Sequence, residues 1–127
     1  MAVLPKPIFS SKLFDGRKGL IEFIYSEIPP FWNITSLEER RRWWADPEFR
    51  REMYEHGHTI KRDRITVIEI WCEYFGYEPQ DLRQWQTRMI NGYLKNISSL
   101  EPVSSIRTGI YGKQRGYHVY WDDQPRR

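Results

Sequence analysis

The feature that most constrains the fold is a pair of alternating runs near the end of the chain. Residues 105–111 and 117–121 are rich in aromatic and β-branched side chains, and they flank a segment, 112–116, with two glycines and two cations. Such runs on either side of a glycine-containing turn are typical of a β-hairpin. The sequence therefore predicts a hairpin whose basic tip carries Lys113 and Arg115.

Two helical patterns precede this hairpin. A capping box at residues 66–69 begins a dense apolar helix that ends at Gly76. Apolar residues then recur at helical spacing over residues 82–97. Thr87 could cap a separate helix within this stretch, so one helix and two helices are alternatives. Helix, helix and hairpin in this order indicate a winged helix-turn-helix.

The first 60 residues predict a helical extension. Residues 1–17 read as an extended arm because they contain Pro, Ser and Gly without a sustained period. Residues 19–28 fit a short helix or a strand. A capping box at Ser36 begins one helix, and Asp46 with Pro47 begins another.

We therefore expect a mainly α fold with a C-terminal two-stranded β-hairpin, a winged helix-turn-helix preceded by a helical N-terminal extension. At 127 residues the chain has room for one core without metals or disulfides. The expected parts are an N-terminal arm and helical extension at 1–60, a winged-helix-like domain at 61–122 and a basic tail at 123–127.

Positive charge is concentrated in the second half. The formal net charge is +3, but residues 83–121 hold six Lys or Arg against one acid, Glu101. Such clustering is the electrostatic footprint of a nucleic-acid-binding protein. A single cysteine, Cys72, excludes an internal disulfide and fits a reducing compartment. With no apolar run long enough for a signal peptide or a membrane span, we expect a cytoplasmic DNA-binding protein without a membrane partner.

The expected DNA contacts lie on the 88–97 helix and on the hairpin. Arg and Asn side chains can bind guanine and adenine edges in the major groove, and hairpin cations can bind phosphates. The candidate nucleic-acid-binding residues are Arg83, Arg88, Asn91, Lys95, Arg107, Lys113, Gln114 and Arg115. The alternatives are an ordinary solvated helix face, and charges that keep an exposed hairpin edge from pairing with another sheet.

Several motifs in residues 62–121 carry a family resemblance. They are Arg62-Asp63-Arg64-Ile65-Thr66 with Glu69-Ile70-Trp71, the Phe75-Gly76 helix end, Asp81-Leu82-Arg83 before the 90–94 helix, and Tyr111-Gly112-Lys113-Gln114-Arg115-Gly116-Tyr117. This stretch resembles the C-terminal region of the virulence-associated protein E family, primase and helicase-like replication proteins of phages and integrative elements. The resemblance implies a winged-helix DNA-binding appendage acting in phage or mobile-element replication. The ATPase core that precedes it in that family is not part of this sequence, so ATP hydrolysis is not implied.

Catalytic and metal-binding constellations are not recognisable. Residues 109–114 lack the spacing and the Ser or Thr after lysine that a phosphate-binding loop requires. His56, His58 and Cys72 match no zinc-ligand spacing. We therefore expect no enzyme activity, no metal and no cofactor.

A protein-interaction adaptor is the alternative function. It would dock onto a replicative ATPase, another copy of itself or a host protein, and exposed Trp43, Trp44 and Phe31-Trp32 would form its patch. The run 40–42 of arginines could instead be a nucleic-acid patch, but Glu38 and Glu39 neutralise part of it. A smooth basic surface over Arg88, Lys95 and Arg115 would favour DNA over the adaptor.

Overall fold

The N-terminal arm of the computed structural model is helical. The structure describes residues 5–53 and 57–121. Helix α1 (Lys6–Asp15) has a proline in its first turn, and α2 (Arg17–Ile24) follows after Gly16. The interpretation of residues 1–17 as an extended arm is therefore wrong over α1, because proline fits the first turn of a helix, where its missing N–H is not needed.

The next two helices begin where their capping residues predict. Helix α3 (Leu37–Ala45) follows Ser36, whose hydroxyl accepts a hydrogen bond from the Glu39 amide at 3.2 Å. Helix α4 (Pro47–Met53) follows Asp46, whose carboxylate accepts from the Glu48 and Phe49 amides. Both helix starts are confirmed, since the caps satisfy amides that have no partner inside the helix.

Both helices predicted in the second half are present and one alternative is resolved, but the second helix ends at Leu94 and not at residue 97 as predicted. Helix α5 (Val67–Glu69) is capped by Thr66 and continues as a π-helical turn (Ile70–Tyr74). It ends before Gly76, which takes φ of +80°. A 3₁₀ turn (Pro79–Asp81) leads to α6 (Gln84–Leu94), a single helix.

The strands form two antiparallel sheets. A short pair joins β1 (Glu27–Ile28) to β2 (Ile60–Lys61). The larger sheet contains β3 (Arg64–Thr66), β4 (Leu100–Thr108) and β5 (Gly112–Val119) in the order β3-β5-β4. The β4–β5 hairpin is thus extended by a third strand.

The expected fold class is wrong. A mainly α protein with a terminal two-stranded hairpin does not describe a chain that is about 50% helical and 22% strand, with sheets of two and three strands. The difference arises because Arg64–Thr66, the residues just before α5, pair with β5 and form strand β3. The helix-turn-helix break is not found within 84–94, where α6 is continuous.

The turn of the hairpin also lies earlier than predicted. Strand β4 ends at Thr108 and β5 begins at Gly112, so Lys113 and Arg115 lie in a strand and not at a tip. The Gly109 amide donates to the Asn33 Oδ1 at 2.9 Å, and a Cβ on Gly109 would overlap the Asn33 carbonyl oxygen. The turn is therefore packed against the N-terminal half of the chain.

One main core joins the helices to the larger sheet. It contains Phe9 of α1, Leu20 of α2, Trp71 of the π-helical turn, Ile90 of α6 and Tyr117 of β5, each at most 4% exposed. A second cluster holds Ile28, Trp32 and Trp43. Because α6 buries one side in the main core, its polar side faces outward beside the hairpin.

Candidate nucleic-acid interface

Helix α6 divides cleanly into an apolar and a polar side. Ile90 and Leu94 are fully buried. Arg88 and Lys95 are exposed, and Asn91 is half-buried between them. The periodicity of a helix places these three residues on neighbouring parts of one face.

The hairpin brings further cations to the side of the sheet on which α6 packs. Side chains alternate along a strand, so Lys113 and Arg115 share a face of β5 with the buried Tyr117. They lie beyond the end of β3, whose last pair is Thr66 with Gly116, and both are exposed. Arg107 of β4 lies directly opposite Lys113.

A groove separates α6 from this part of the hairpin. It has a volume of about 420 Å³. Its lining residues are Asn91, Lys95, Pro102, Val103, Ser104, Arg115, Gly116 and Tyr117. We call it the α6–hairpin groove. Lys95 at the end of the helix and Arg115 of the strand therefore border one surface.

The exposed cations of the α6 segment and the hairpin have no carboxylate partner in the described part of the chain. We define the basic surface as Arg88, Lys95, Arg107, Lys113 and Arg115. Within residues 5–53 and 57–121, no carboxylate oxygen lies within 4.0 Å of any of them. Like charges directly opposite each other in a sheet are destabilising. Arg107 and Lys113 lie directly opposite each other in this way, so an anion bound between them would relieve their repulsion.

Three of the eight predicted contact residues line the groove, and the other five, Arg83, Arg88, Arg107, Lys113 and Gln114, do not. Arg83 is the N-cap of α6 and donates to the Gln80 carbonyl at 3.4 Å. Gln114 pairs with Ile106, on the face of β5 opposite to that of Lys113, and its amide donates to the Tyr111 carbonyl at 2.8 Å. The turn therefore already uses the Gln114 donor.

Sequence reasoning missed five lining residues, Pro102, Val103, Ser104, Gly116 and Tyr117. Tyr117 is 4% exposed, and its hydroxyl donates to the Asn91 Oδ1 at 2.8 Å. The alternation places Tyr117 on the same face as Arg115, which is a signal that could have found it. Ser104 lies beside a bulge in β4 between Val103 and Ile106, and no local pattern predicts that irregularity.

The tryptophans do not form the patch expected of an adaptor. All six are in the described part of the chain, and none is exposed. Trp43 is 2% and Trp32 is 5% exposed, and Trp44 packs against both core clusters. Phe31, at 44%, is the exposed aromatic neighbour of this group.

A buried polar network accounts for the first residue of the arginine run. The Arg40 Nη1 lies 2.9 Å from the Glu73 Oε2, and Arg62 and Glu69 form a second pair at 3.0 Å. The Tyr111 hydroxyl also donates to the Glu73 Oε2, at 2.7 Å. This network ties α3, the α5 segment and the hairpin turn together, so it helps to set the hairpin's position relative to the helices.

Burial shifts the protonation equilibria of this network. It raises the pKa of the Glu69 carboxyl, an effect that the nearby Arg62 opposes. Burial and the adjacent Glu73 carboxylate raise the pKa of the Tyr111 hydroxyl. The adjoining cavity holds about 100 Å³, less than the roughly 300 Å³ of small-molecule sites. The network therefore has the character of a structural element.

The described residues provide neither a cluster of metal ligands nor a membrane-spanning helix. Residues 5–53 and 57–121 contain no group of three His, Cys, Asp or Glu side chains that could hold a metal ion. His56 lies outside the described residues. None of the helices described combines the length and the apolar character that crossing a membrane requires.

No family model matches this chain, and no curated protein matches it in sequence. The resemblance of residues 62–121 to the virulence-associated protein E family therefore stays a prediction.

Proposed function

We propose that the protein binds duplex DNA through the basic surface on α6 and the β4–β5 hairpin. The observation that carries this proposal is that the α6 segment and the hairpin together present five exposed cations, two of which, Lys95 and Arg115, line one groove, with no carboxylate of the described residues within 4.0 Å. Lys and Arg side chains that lie free on one face bind phosphates and release counterions, which supplies much of the affinity for DNA.

The two elements have different roles in this proposal. Helix α6 presents the exposed Arg88, a side chain that can read guanine edges when a helix lies in the major groove. The hairpin presents Arg107 and Lys113 to the phosphates, which fixes orientation without reading sequence. A three-stranded sheet beside a helix suffices for this arrangement, so it does not depend on a winged helix-turn-helix.

Duplex DNA fits this surface better than a single strand. Proteins that bind single strands without sequence preference stack the bases on aromatic side chains. The one large aromatic residue that is exposed in the described parts of the chain is Phe31, in the N-terminal half and not on α6 or the hairpin. The basic surface therefore offers charge and hydrogen-bond donors but no stacking platform.

Exposed apolar side chains favour a second candidate function, the docking of a protein partner on the N-terminal half. Ile34 is 81%, Phe31 44% and Ile60 41% exposed. Large exposed apolar side chains can mark protein-interaction sites when they are contiguous. Replacing Phe31 and Ile34 by serine should then abolish partner binding and leave DNA affinity unchanged.

Fluorescence anisotropy with a labelled duplex tests the DNA proposal. The test variant replaces Arg107 and Lys113 by glutamine, and the control replaces Arg42 and Arg51, two exposed cations on α3 and α4. Both variants lower the net charge by two. Each lost phosphate contact should weaken binding about eightfold at ~0.1 M salt, from a counterion slope of about 0.9 per contact.

The expected result is a loss of roughly 60-fold for the hairpin variant, the product of two such contacts, and a much smaller loss for the control. Equal losses in the two variants would show that net charge alone attracts DNA. An unchanged affinity in the hairpin variant would place the binding surface elsewhere. Either result would overturn the proposal.

A further inference from the structure

We infer that the α6–hairpin groove binds one sugar–phosphate unit of a DNA strand, with Asn91 as a positioned neutral donor between two cations. This inference rests on the proposed DNA-binding function and goes further, because it assigns a contact site and two residues whose roles are not simply electrostatic.

A hydrogen bond from the sheet orients the side-chain amide of Asn91. The buried Tyr117 hydroxyl donates to its Oδ1 at 2.8 Å, and that bond leaves the amide N–H₂ as the group available to a ligand. Asn91 lines the groove and is half-buried. Its freedom to rotate is reduced before any ligand arrives, so a hydrogen bond to a phosphate oxygen loses less entropy.

The flanking charges match an anion in the groove. Lys95 lies one helical turn beyond Asn91 on α6, and Arg115 reaches the same groove from β5. One positive side chain therefore stands on the helix wall and another on the strand wall. A phosphate between them would gain charge-assisted hydrogen bonds from both.

The groove is shaped for more than an isolated ion. Pro102 and Val103 contribute apolar lining, and Ser104 adds a hydroxyl. A volume of about 420 Å³ falls within the range of roughly 300–1,000 Å³ that small-molecule sites occupy. The apolar part suits the carbon face of a deoxyribose, and the polar part suits its phosphate.

Substitution of Asn91 by aspartate tests the contribution of the side-chain N–H₂ donor to binding. A carboxylate can still accept from Tyr117, so that contact is retained, but the N–H₂ donor is replaced by a negative charge. The control is Asn96→Asp, which makes the same charge change at an exposed residue of the turn after α6, outside the groove lining, and removes only the hydrogen bond that the Asn96 amide donates to the Gly92 carbonyl at 3.1 Å. Circular dichroism and thermal melting verify that each variant folds.

Affinity is measured for a short duplex, a single strand of the same sequence and a deoxynucleoside monophosphate. We expect Asn91→Asp to weaken duplex binding at least tenfold and Asn96→Asp at most about threefold, because exposed charges are screened over a Debye length of about 10 Å. Tyr117→Phe should weaken duplex binding by about two- to thirteenfold, the effect of one hydrogen bond of about 0.5–1.5 kcal/mol.

The outcomes separate this inference from the proposed function. A parent protein that binds no duplex refutes the proposed function itself. A parent that binds duplex, with equal affinities for Asn91→Asp and Asn96→Asp, refutes the groove assignment alone. Loss of binding only for the single strand or only for the monophosphate also refutes it, since the groove would then serve a different ligand.

A second measurement avoids substitutions altogether. The side-chain amide of Asn91 gives its own pair of signals in a ¹⁵N–¹H correlation spectrum. Titration with the duplex should shift these signals at the same DNA concentration that saturates the anisotropy. Signals that stay fixed at saturation would overturn the inference.

Discussion

Replacing Arg40 by methionine should destabilise the protein strongly without touching the basic surface. Arg40 is 2% exposed, and its guanidinium donates to the Glu73 carboxylate at 2.9 Å, to the Trp32 carbonyl at 2.6 Å and to the Thr35 carbonyl at 3.2 Å. Methionine fills much of the same space but removes the charge and every donor.

The size of the expected loss in stability follows from the burial of Glu73. The Glu73 side chain is fully buried, so the substitution leaves a charge that water cannot solvate. Removing one partner of a buried ion pair costs about 3–5 kcal/mol. The comparison is Arg42→Met, because Arg42 and Asp46 form an exposed pair at 3.9 Å. Pairs of that kind contribute about 0–1 kcal/mol.

Urea denaturation followed by circular dichroism measures both effects. With a slope of about 2 kcal/mol per molar urea, Arg40→Met should lower the midpoint by about 2 M. Adding Glu73→Gln should recover part of the loss, since the isolated charge is then removed. If Arg40→Met costs no more than Arg42→Met, the buried network does not hold the hairpin turn and the helices together as argued.

Further predictions concern glycines and alkaline pH. Gly109→Ala should destabilise the protein by about 1–3 kcal/mol because its Cβ would overlap the Asn33 carbonyl oxygen. Gly92→Ala, at an open position in α6, should instead stabilise the protein by about 0.4–1 kcal/mol. The free energy of unfolding should fall as pH rises above about 9. Burial raises the pKa of Cys72 from 9.0 to about 12 and also raises the pKa of Tyr111. The unfolded chain therefore releases these protons at lower pH than the folded chain, which favours unfolding.

Urea midpoints check both predictions. Equal midpoints for the two glycine variants would contradict the packing of the hairpin turn. For the second prediction, midpoints at about pH 8 and about pH 10.5 are compared in the parent and in Tyr111→Phe. The variant should lose less stability over this interval, since it lacks one of the groups that the fold keeps protonated. A parent whose midpoint is constant over the interval would contradict the prediction.

Local features could be predicted from sequence because their physics is local. The helix starts after Ser36, Asp46 and Thr66 depend on side chains that bind amides two or three residues away. The charge of the basic surface and the polar side of α6 follow from residue identity and helical periodicity in the same way.

Features that depend on distant residues could not be predicted. The hairpin offers two glycine-containing turns, and the contact that favours 109–111 comes from Asn33, which is 76 residues away in sequence. Strand β3 is only three residues long and is defined by its pairing with β5. The orientation of Asn91 by Tyr117 likewise needs the packed helix and sheet, so the α6–hairpin groove was not foreseen.

The salt dependence of duplex binding tests the central claim most directly. For five cations that each neutralise one phosphate, the logarithm of the association constant should fall against the logarithm of salt concentration with a slope of about −4.5. Glutamine at Arg107 and Lys113 should reduce that slope to about −2.7, while the Arg42 and Arg51 control keeps the parent slope. A parent slope near zero, or one that the hairpin substitutions leave unchanged, would contradict the claim that this surface binds DNA.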